Sequence, residues 1–137
     1  MDTHPMIIIK KPELEVKENS LPDFDFSVVA TNFNSTYDVT CGVKFSKIWR
    51  LKNTGRLQWP HGTRLVRMGI ESLNGASSSA LCLIQPGQEQ NLRIDFEAPE
   101  VPQQQTVNTY RMIYGEDCSF GNAICCIVNV VSTVYDS

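Results

Sequence analysis

The chain has 137 residues, a formal net charge of −3 and a pI of about 5.3, with 42% apolar and 20% charged residues. This length suits one domain with room for a core, and the composition is that of a globular protein. The acidic balance excludes nucleic acid as the expected main partner, because nucleic-acid-binding domains are usually basic. The basic residues that cluster in the middle of the chain are interpreted as solvent-facing strand positions: Lys44, Lys47, Arg50, Lys52, Arg56, Arg64 and Arg67.

Residues 1–22 are predicted to form an extended or partly disordered leader, and residues 23–137 the folded domain. The leader is rich in charge and proline, with a short edge strand predicted at Met6 to Lys10. Its apolar run is too short for a secretory signal, and no run approaches the ~20 apolar residues of a membrane span. The sequence therefore predicts a cytoplasmic protein without a membrane span.

From Phe24 onward, short apolar runs alternate with turn residues at fairly even spacing, which is typical of an all-β sandwich. No segment shows sustained helical periodicity. Eight or nine strands are expected. The main ones are predicted at residues 26–32, 38–40, 44–52, 63–68, 80–84, around Leu92 to Phe96, 106–114 and 122–134.

The strand at residues 44–52 carries the strongest pattern, with one irregularity. Trp49 and Leu51 share the predicted inner face with Lys47, whereas Ile48 lies on the outer face. A charge inside and an apolar residue outside break the expected alternation. We therefore expect a bulge or a half-covered outer face here.

The cysteines do not form a metal-binding pattern. There is no Cys-x-x-Cys pair, and the two histidines, His4 and His61, lie far apart in the sequence. Cys125 and Cys126 are adjacent in a predicted strand and should point to opposite faces. The preferred interpretation of the cysteines is buried free thiols in a reducing compartment, with Cys118 as the most exposed, and no metal or cofactor is expected.

Cys118 is the best candidate for a catalytic nucleophile, because it lies in a predicted loop. A catalytic thiol needs a nearby base or a positive field, whereas its neighbours Glu116 and Asp117 are acidic and oppose thiolate formation. We therefore expect no enzymatic activity. A thiol-dependent enzyme remains an alternative of another class.

The segment from Phe26 to Val29 places an aromatic and an aliphatic residue behind acidic residues. This pattern resembles the strand-adding motif with which autophagy receptors bind ubiquitin-like proteins. The other interpretation, which we favour, is that these residues form the first strand of the sandwich.

Five residues form a candidate protein-binding patch: Trp59, Pro60, His61, Tyr110 and Tyr114. The first three lie at a strand-to-loop junction, and the tyrosines lie in a late strand. Tyrosine and tryptophan frequently anchor protein interfaces. They also fill sandwich cores, so both interpretations remain open.

The chain resembles the four-tryptophan (FW) domain family, which includes a domain of the neighbour-of-BRCA-one autophagy receptor and one of ILRUN. The resemblance covers about residues 27–132. It is carried by Trp49-Arg-Leu-Lys-Asn53-Thr-Gly55-x3-Trp59-Pro60, Pro86-Gly87-Gln88, Leu92-x-Ile94-x-Phe96-x-Ala98-Pro99, Tyr110-Arg111-Met112 and Phe120-Gly121.

The resemblance implies an immunoglobulin-like antiparallel β-sandwich that binds proteins and has no catalytic activity. Trp49, Asn53 and Gly55 are the family-motif residues expected in or beside its core. The first functional hypothesis is recognition of cargo or a partner in selective autophagy, with a cargo protein or a ubiquitin-like autophagy protein as the ligand. The alternative is an ILRUN-like regulator of transcription and innate immune signalling.

This chain departs from the family pattern, because it keeps only two of the four tryptophans. Tyr110 occupies the third position, and the fourth falls at Ile124 or Cys125. The chain is therefore expected to be a divergent member of the family.

Overall fold

The computed structural model describes residues 5–9, 21–33, 35–69, 73–75 and 78–132, and these contain ten strands and no helix. The all-β prediction is confirmed, and the described residues include no helix that could cross a membrane. The strands are β1 (Ile7–Ile8), β2 (Phe26–Thr31), β3 (Tyr37–Thr40), β4 (Lys44–Asn53), β5 (Arg64–Met68), β6 (Asn74–Gly75), β7 (Ser78–Ala80), β8 (Glu89–Glu97), β9 (Gln103–Tyr114) and β10 (Cys118–Val131).

The strands pair into two five-stranded sheets that form a sandwich. Sheet A has the order β1-β2-β4-β8-β6, and sheet B has the order β3-β10-β9-β5-β7. Pairing in the described residues is antiparallel except between β3 and β10, which run parallel. The two inner faces enclose one apolar core, whose largest buried side chains include Trp59, Tyr110, Leu51, Leu65, Ile94 and Met112.

The central strand of sheet A is β4, which lies between β2 and β8. Trp49 and Leu51 face the core, as their spacing predicts. Lys47 is also buried, so the interpretation of this lysine as solvent-facing is wrong. The outer face is half-covered at Ile48, and the irregularity in register lies in the partner strand β2, next to Ala30.

The prediction of a strand at residues 80–84 is wrong in position. β7 ends at Ala80, and Leu81 and Ile84 are buried in the connection that follows it. The carbonyl of Ile84 accepts a hydrogen bond from the backbone N–H of Trp59, an isolated contact outside the strand ladders. A buried connection and a strand share the same apolar composition, so the local pattern does not separate them.

The short edge strand predicted near the N-terminus is present as β1, whose Ile7 and Ile8 pair with Thr31 and Ala30 of β2. Residues 1–4 and 10–20 of the predicted leader lie outside the described residues. The domain boundary after residue 22 stays a prediction.

The segment from Phe26 to Val29 is part of β2 and pairs with β4, which confirms its interpretation as a strand. The Phe26 side chain is buried and contacts Phe120 edge-on, with ring centroids 6.2 Å apart. These residues therefore contribute to the core of the sandwich.

The cysteines are free, but the preferred interpretation of them as buried thiols is wrong for Cys82 and Cys125, and Cys118 is exposed as its predicted loop position suggested. Cys126 is buried and Cys41 half-buried, whereas Cys82, Cys118 and Cys125 are exposed. The adjacent pair on β10 does point to opposite faces, as predicted.

Candidate functional site

One end of the sandwich is organised by the side chain of Asn53, the last residue of β4. Its Nδ2 donates to the carbonyls of Leu57 (3.0 Å) and Ile84 (2.9 Å), and its Oδ1 accepts from the N–H of Gly55 (2.9 Å). Both amide donors and the acceptor are thus satisfied within the core. A fully satisfied buried group fixes the segments that it joins. The Asn-Thr-Gly sequence therefore ties β4 to two connections as well as forming a turn.

A side chain has no room at Gly55. A Cβ there would lie 2.7 Å from both the carbonyl oxygen of Asp23 and the backbone nitrogen of Asp25. These atoms approach closely because the backbone N–H groups of Thr54 and Leu57 donate to the carbonyls of Asp25 and Asp23. The segment that precedes β2 is therefore held against the turn.

Trp59 is buried beneath this end, with 1% of its surface exposed. Its indole Nε1 donates to the carbonyl of Asp25 at 3.1 Å, and its ring centroid lies 6.0 Å from that of Phe120. A buried ring cannot touch a partner directly. Its position indicates a supporting role for the surface above it.

Tyr110 lies apart from this end, in the middle of β9. It is fully buried and meets Trp49 edge-on, with ring centroids 6.1 Å apart. Its pairing partner across the ladder is Ile124, which also faces the core, whereas Cys125 is exposed. The structure thus places Tyr110 in the core and does not bring it to the other four predicted patch residues.

Three predicted patch residues reach the surface: His61 is exposed, and Pro60 and Tyr114 are half-buried. Tyr114 contacts half-buried Phe24 edge-on, with ring centroids 5.5 Å apart. It also lies near Phe120, at 6.1 Å, so its ring shares a cluster with Trp59 below. We call the surface formed by Phe24, Pro60, His61 and Tyr114 the aromatic rim.

Arg64 connects the two turns that carry the rim. Its guanidinium donates to the carbonyl of Gly62 and to that of Gly115, each at 3.1 Å. The first turn carries His61, and the second directly follows Tyr114. The two sides of the aromatic rim are therefore joined through this arginine.

Charges of both signs border the rim. Arg56 and Asp23 form a partly exposed ion pair at 2.6 Å, and Glu116 and Asp117 are exposed in the turn between β9 and β10. An apolar centre with a polar border is the usual composition of a protein interface.

Sequence reasoning missed Phe24 as a surface residue. The sequence does contain one indication, because Phe24 and Phe26 alternate with Asp23 and Asp25. Such alternation is typical of an extended segment. The sequence does not show that Phe26 enters the core while Phe24 stays at its margin beside Tyr114.

The described residues contain no group of three histidine, cysteine or acidic side chains that could hold a metal ion. Cys118 is exposed at the start of β10, where it pairs with Tyr114. No hydrogen bond links its thiol to His61 in the described part of the chain.

Comparison with known proteins gives a family match over most of the sandwich. The family model described as the Ig-like domain from next to BRCA1 gene matches residues 32–130. Protein JOKA2 of Solanum tuberosum is 35% identical over 91 residues, which cover 64% of this chain and 10% of that protein. The NBR1 homolog of Arabidopsis thaliana is 30% identical over 97 residues, which cover 68% of this chain and 14% of that protein. The matched regions are therefore a small part of each relative.

Proposed function

This chain belongs to the family of Ig-like domains from next to BRCA1 gene, and on that premise we propose that it recognises cargo or a partner protein in selective autophagy, without catalysis. The observation that carries the proposal is the aromatic rim at one end of the sandwich, where Arg64 joins the turn that carries His61 to the turn that follows Tyr114. The partner is a cargo protein or a ubiquitin-like autophagy protein, met in the cytoplasm. Nucleic acid is not a partner, since the chain is acidic overall.

The predicted patch divides by burial into contacting and supporting residues. Pro60, His61 and Tyr114 are accessible and would contact the partner, whereas Trp59 supports them from the core. Tyr110 would act only by stabilising the fold. Half-buried rings that are already packed lose little side-chain freedom on binding, so such contacts favour affinity.

Partner recognition is tested by affinity capture from cells of the source organism. The double variant His61→Ala, Tyr114→Ala truncates two of the four accessible rim side chains, and Val101→Ala is the matched control. Val101 is 64% exposed and follows the end of β8 that pairs with Lys44, at the opposite end of the sandwich. We expect the wild type and the control to enrich autophagy or vacuolar proteins, and the double variant to retain about a tenth of that enrichment or less.

Equal capture by all three proteins would contradict the rim as the binding surface, provided that their thermal unfolding midpoints agree. Enrichment of transcriptional co-activators in place of autophagy proteins would favour the ILRUN-like alternative. A chemical activity that disappears in Cys118→Ala would overturn the non-catalytic part of the proposal.

A further inference from the structure

Lys47 is a buried cation on the inner face of β4. Only 3% of the residue is exposed, and its Nζ donates a hydrogen bond to the carbonyl of Phe33. The same nitrogen lies 3.9 Å from the ring centroid of Phe33 and 5.7 Å from that of Trp49. The ammonium thus contacts one carbonyl and two aromatic faces.

A counter-ion for this ammonium is absent from the described residues, where no carboxylate pairs with Lys47. Burying a charge without a partner is costly, because the lost hydration is not replaced. Burial lowers the pKa of Lys47 from 10.5 to about 8, against an opposing effect of the nearby Cys126 and Cys125 thiols. The side chain therefore remains mostly charged at neutral pH.

Lys47 lines a cavity of about 230 Å³ between β2 and β4 of sheet A and β10 of sheet B, and the segments that follow β1 and β2 complete its lining. Among the described lining residues, Cys125 and Lys47 are titratable. Two lining residues, Ser35 and Cys125, are exposed to solvent. Apolar side chains dominate the walls, among them Ile9, Val28, Phe33, Trp49, Ile124 and Ile127.

We propose that this cavity binds the carboxylate of a small apolar group, with Lys47 as the counter-ion. The aromatic and aliphatic walls suit the apolar part, and the carboxylate of the ligand would supply the negative charge that no described residue places beside the Lys47 ammonium. A group with an amine at this position would be repelled by Lys47.

The size of the cavity limits the ligand. Pockets for drug-sized molecules typically measure about 300–1,000 Å³, so this smaller space suits a fragment such as one apolar side chain with its carboxylate. That chemistry is shared by the C-terminal residue of a peptide and by a free carboxylic acid of similar size. The site is distinct from the aromatic rim, since Lys47 precedes Asn53 by six residues along β4, or about 20 Å.

The experiment compares acids with their neutral amides by NMR of the isotope-labelled chain. The free probes are 3-phenylpropionate and 3-phenylpropionamide, and the peptide probes are a short peptide ending in phenylalanine with a free or an amidated C-terminus. We expect the acid form to shift the signals of Val28, Ile124 and Ile127 and to bind at least about tenfold more tightly than the amide. Binding of only the free acid or only the peptide acid identifies the natural source of the carboxylate, and either result supports the site.

Two variants test the role of the ammonium. Lys47→Met removes the charge and should abolish the preference for the acid, whereas Lys52→Met, on the outer face of the same strand, should keep it. In the wild type, the bound acid should raise the titration midpoint of the Lys47 Nζ, followed by its own nitrogen resonance. This titration shows whether the Lys47 ammonium binds the acid, even if Lys47→Met does not fold.

Three outcomes overturn the proposal: equal binding of acid and amide, signal changes confined to other parts of the chain, or an acid preference that survives in Lys47→Met. The absence of binding by any probe also counts against it. None of these results bears on the aromatic rim, whose test relies on His61 and Tyr114.

Discussion

Asn53 and Lys47 are both buried polar residues of β4, but their surroundings differ. Each side-chain polar atom of Asn53 meets a backbone group of another part of the chain. The Lys47 ammonium has three donors, the described residues provide it with one carbonyl acceptor, and a cavity lies beside it. A satisfied polar group strengthens one defined structure, whereas an incompletely compensated charge favours a ligand. One strand therefore supports the fold at one end and offers a candidate binding site towards the other.

The largest expected effect follows from Asn53→Ala, which removes the satisfied group. The carbonyl of Leu57 and the N–H of Gly55 would lose this partner, and the carbonyl of Ile84 would keep only the N–H of Trp59. Each unsatisfied buried group costs about 1–3 kcal/mol, so we expect the free energy of unfolding to fall by about 3–5 kcal/mol. Urea denaturation measures this change.

Asn91→Ala is the matched control for that variant. Asn91 is exposed on β8, and its side chain accepts a hydrogen bond from Arg50. Its replacement should change the free energy of unfolding by about 0.5 kcal/mol or less. Similar losses in the two variants would contradict the special position of Asn53.

The second largest effect is a change of the free energy of unfolding with pH, which arises from the buried charge of Lys47. Below pH 8 both the folded and the unfolded chain carry a protonated Lys47, and the folded chain bears the cost of burying it. Between pH 8 and 10.5 the folded chain loses this proton while the unfolded chain keeps it, so this group makes the wild type more stable as pH rises.

Lys47→Met lacks this contribution. Its free energy of unfolding, relative to that of the wild type, should therefore fall by about 1–3 kcal/mol over the same pH interval. Parallel urea titrations under reducing conditions provide the measurement, with Lys52→Met as the control. A constant difference between wild type and Lys47→Met across this interval would show that Lys47 is not desolvated.

The smallest effect is expected for Arg56→Ala at the Asn53 end. Its ion pair with Asp23 is partly exposed, and such pairs contribute about 0–1 kcal/mol. The loss in the free energy of unfolding should shrink further at high salt. A loss as large as that of Asn53→Ala would mean that the surface pair, and not the buried amide, holds this end together.

Local patterns predicted the elements whose burial alternates along one strand. The inner face of β4 was predicted correctly because Trp49 and Leu51 follow a period of two. The same period placed Lys47 inside, against its general interpretation as a solvent-facing residue. The contact with Phe33 comes from 14 residues away, so no local pattern reveals how the charge is accommodated.

The candidate site shows the same limit. The composition of residues 59–61 left a surface patch and core packing equally open, and the turn chemistry of Asn53 was recognised. The partner of Asn53 at Ile84 lies 31 residues away, and Arg64 reaches Gly115 over 51 residues. Such contacts depend on tertiary packing, which decides whether Tyr110 or Tyr114 reaches the surface.

The parallel pairing of β3 with β10 has a consequence for how the chain folds. Val39 pairs with Val130, and Asp38 accepts a hydrogen bond from Asn129, 91 residues further along the chain. Closing so long a loop is entropically unfavourable and slow, because many residues must be ordered before this contact forms. During synthesis, β3 emerges long before its partner. Sheet B can therefore be completed only after the last strand has left the ribosome, and until then the edge of β3 is available for incorrect pairing.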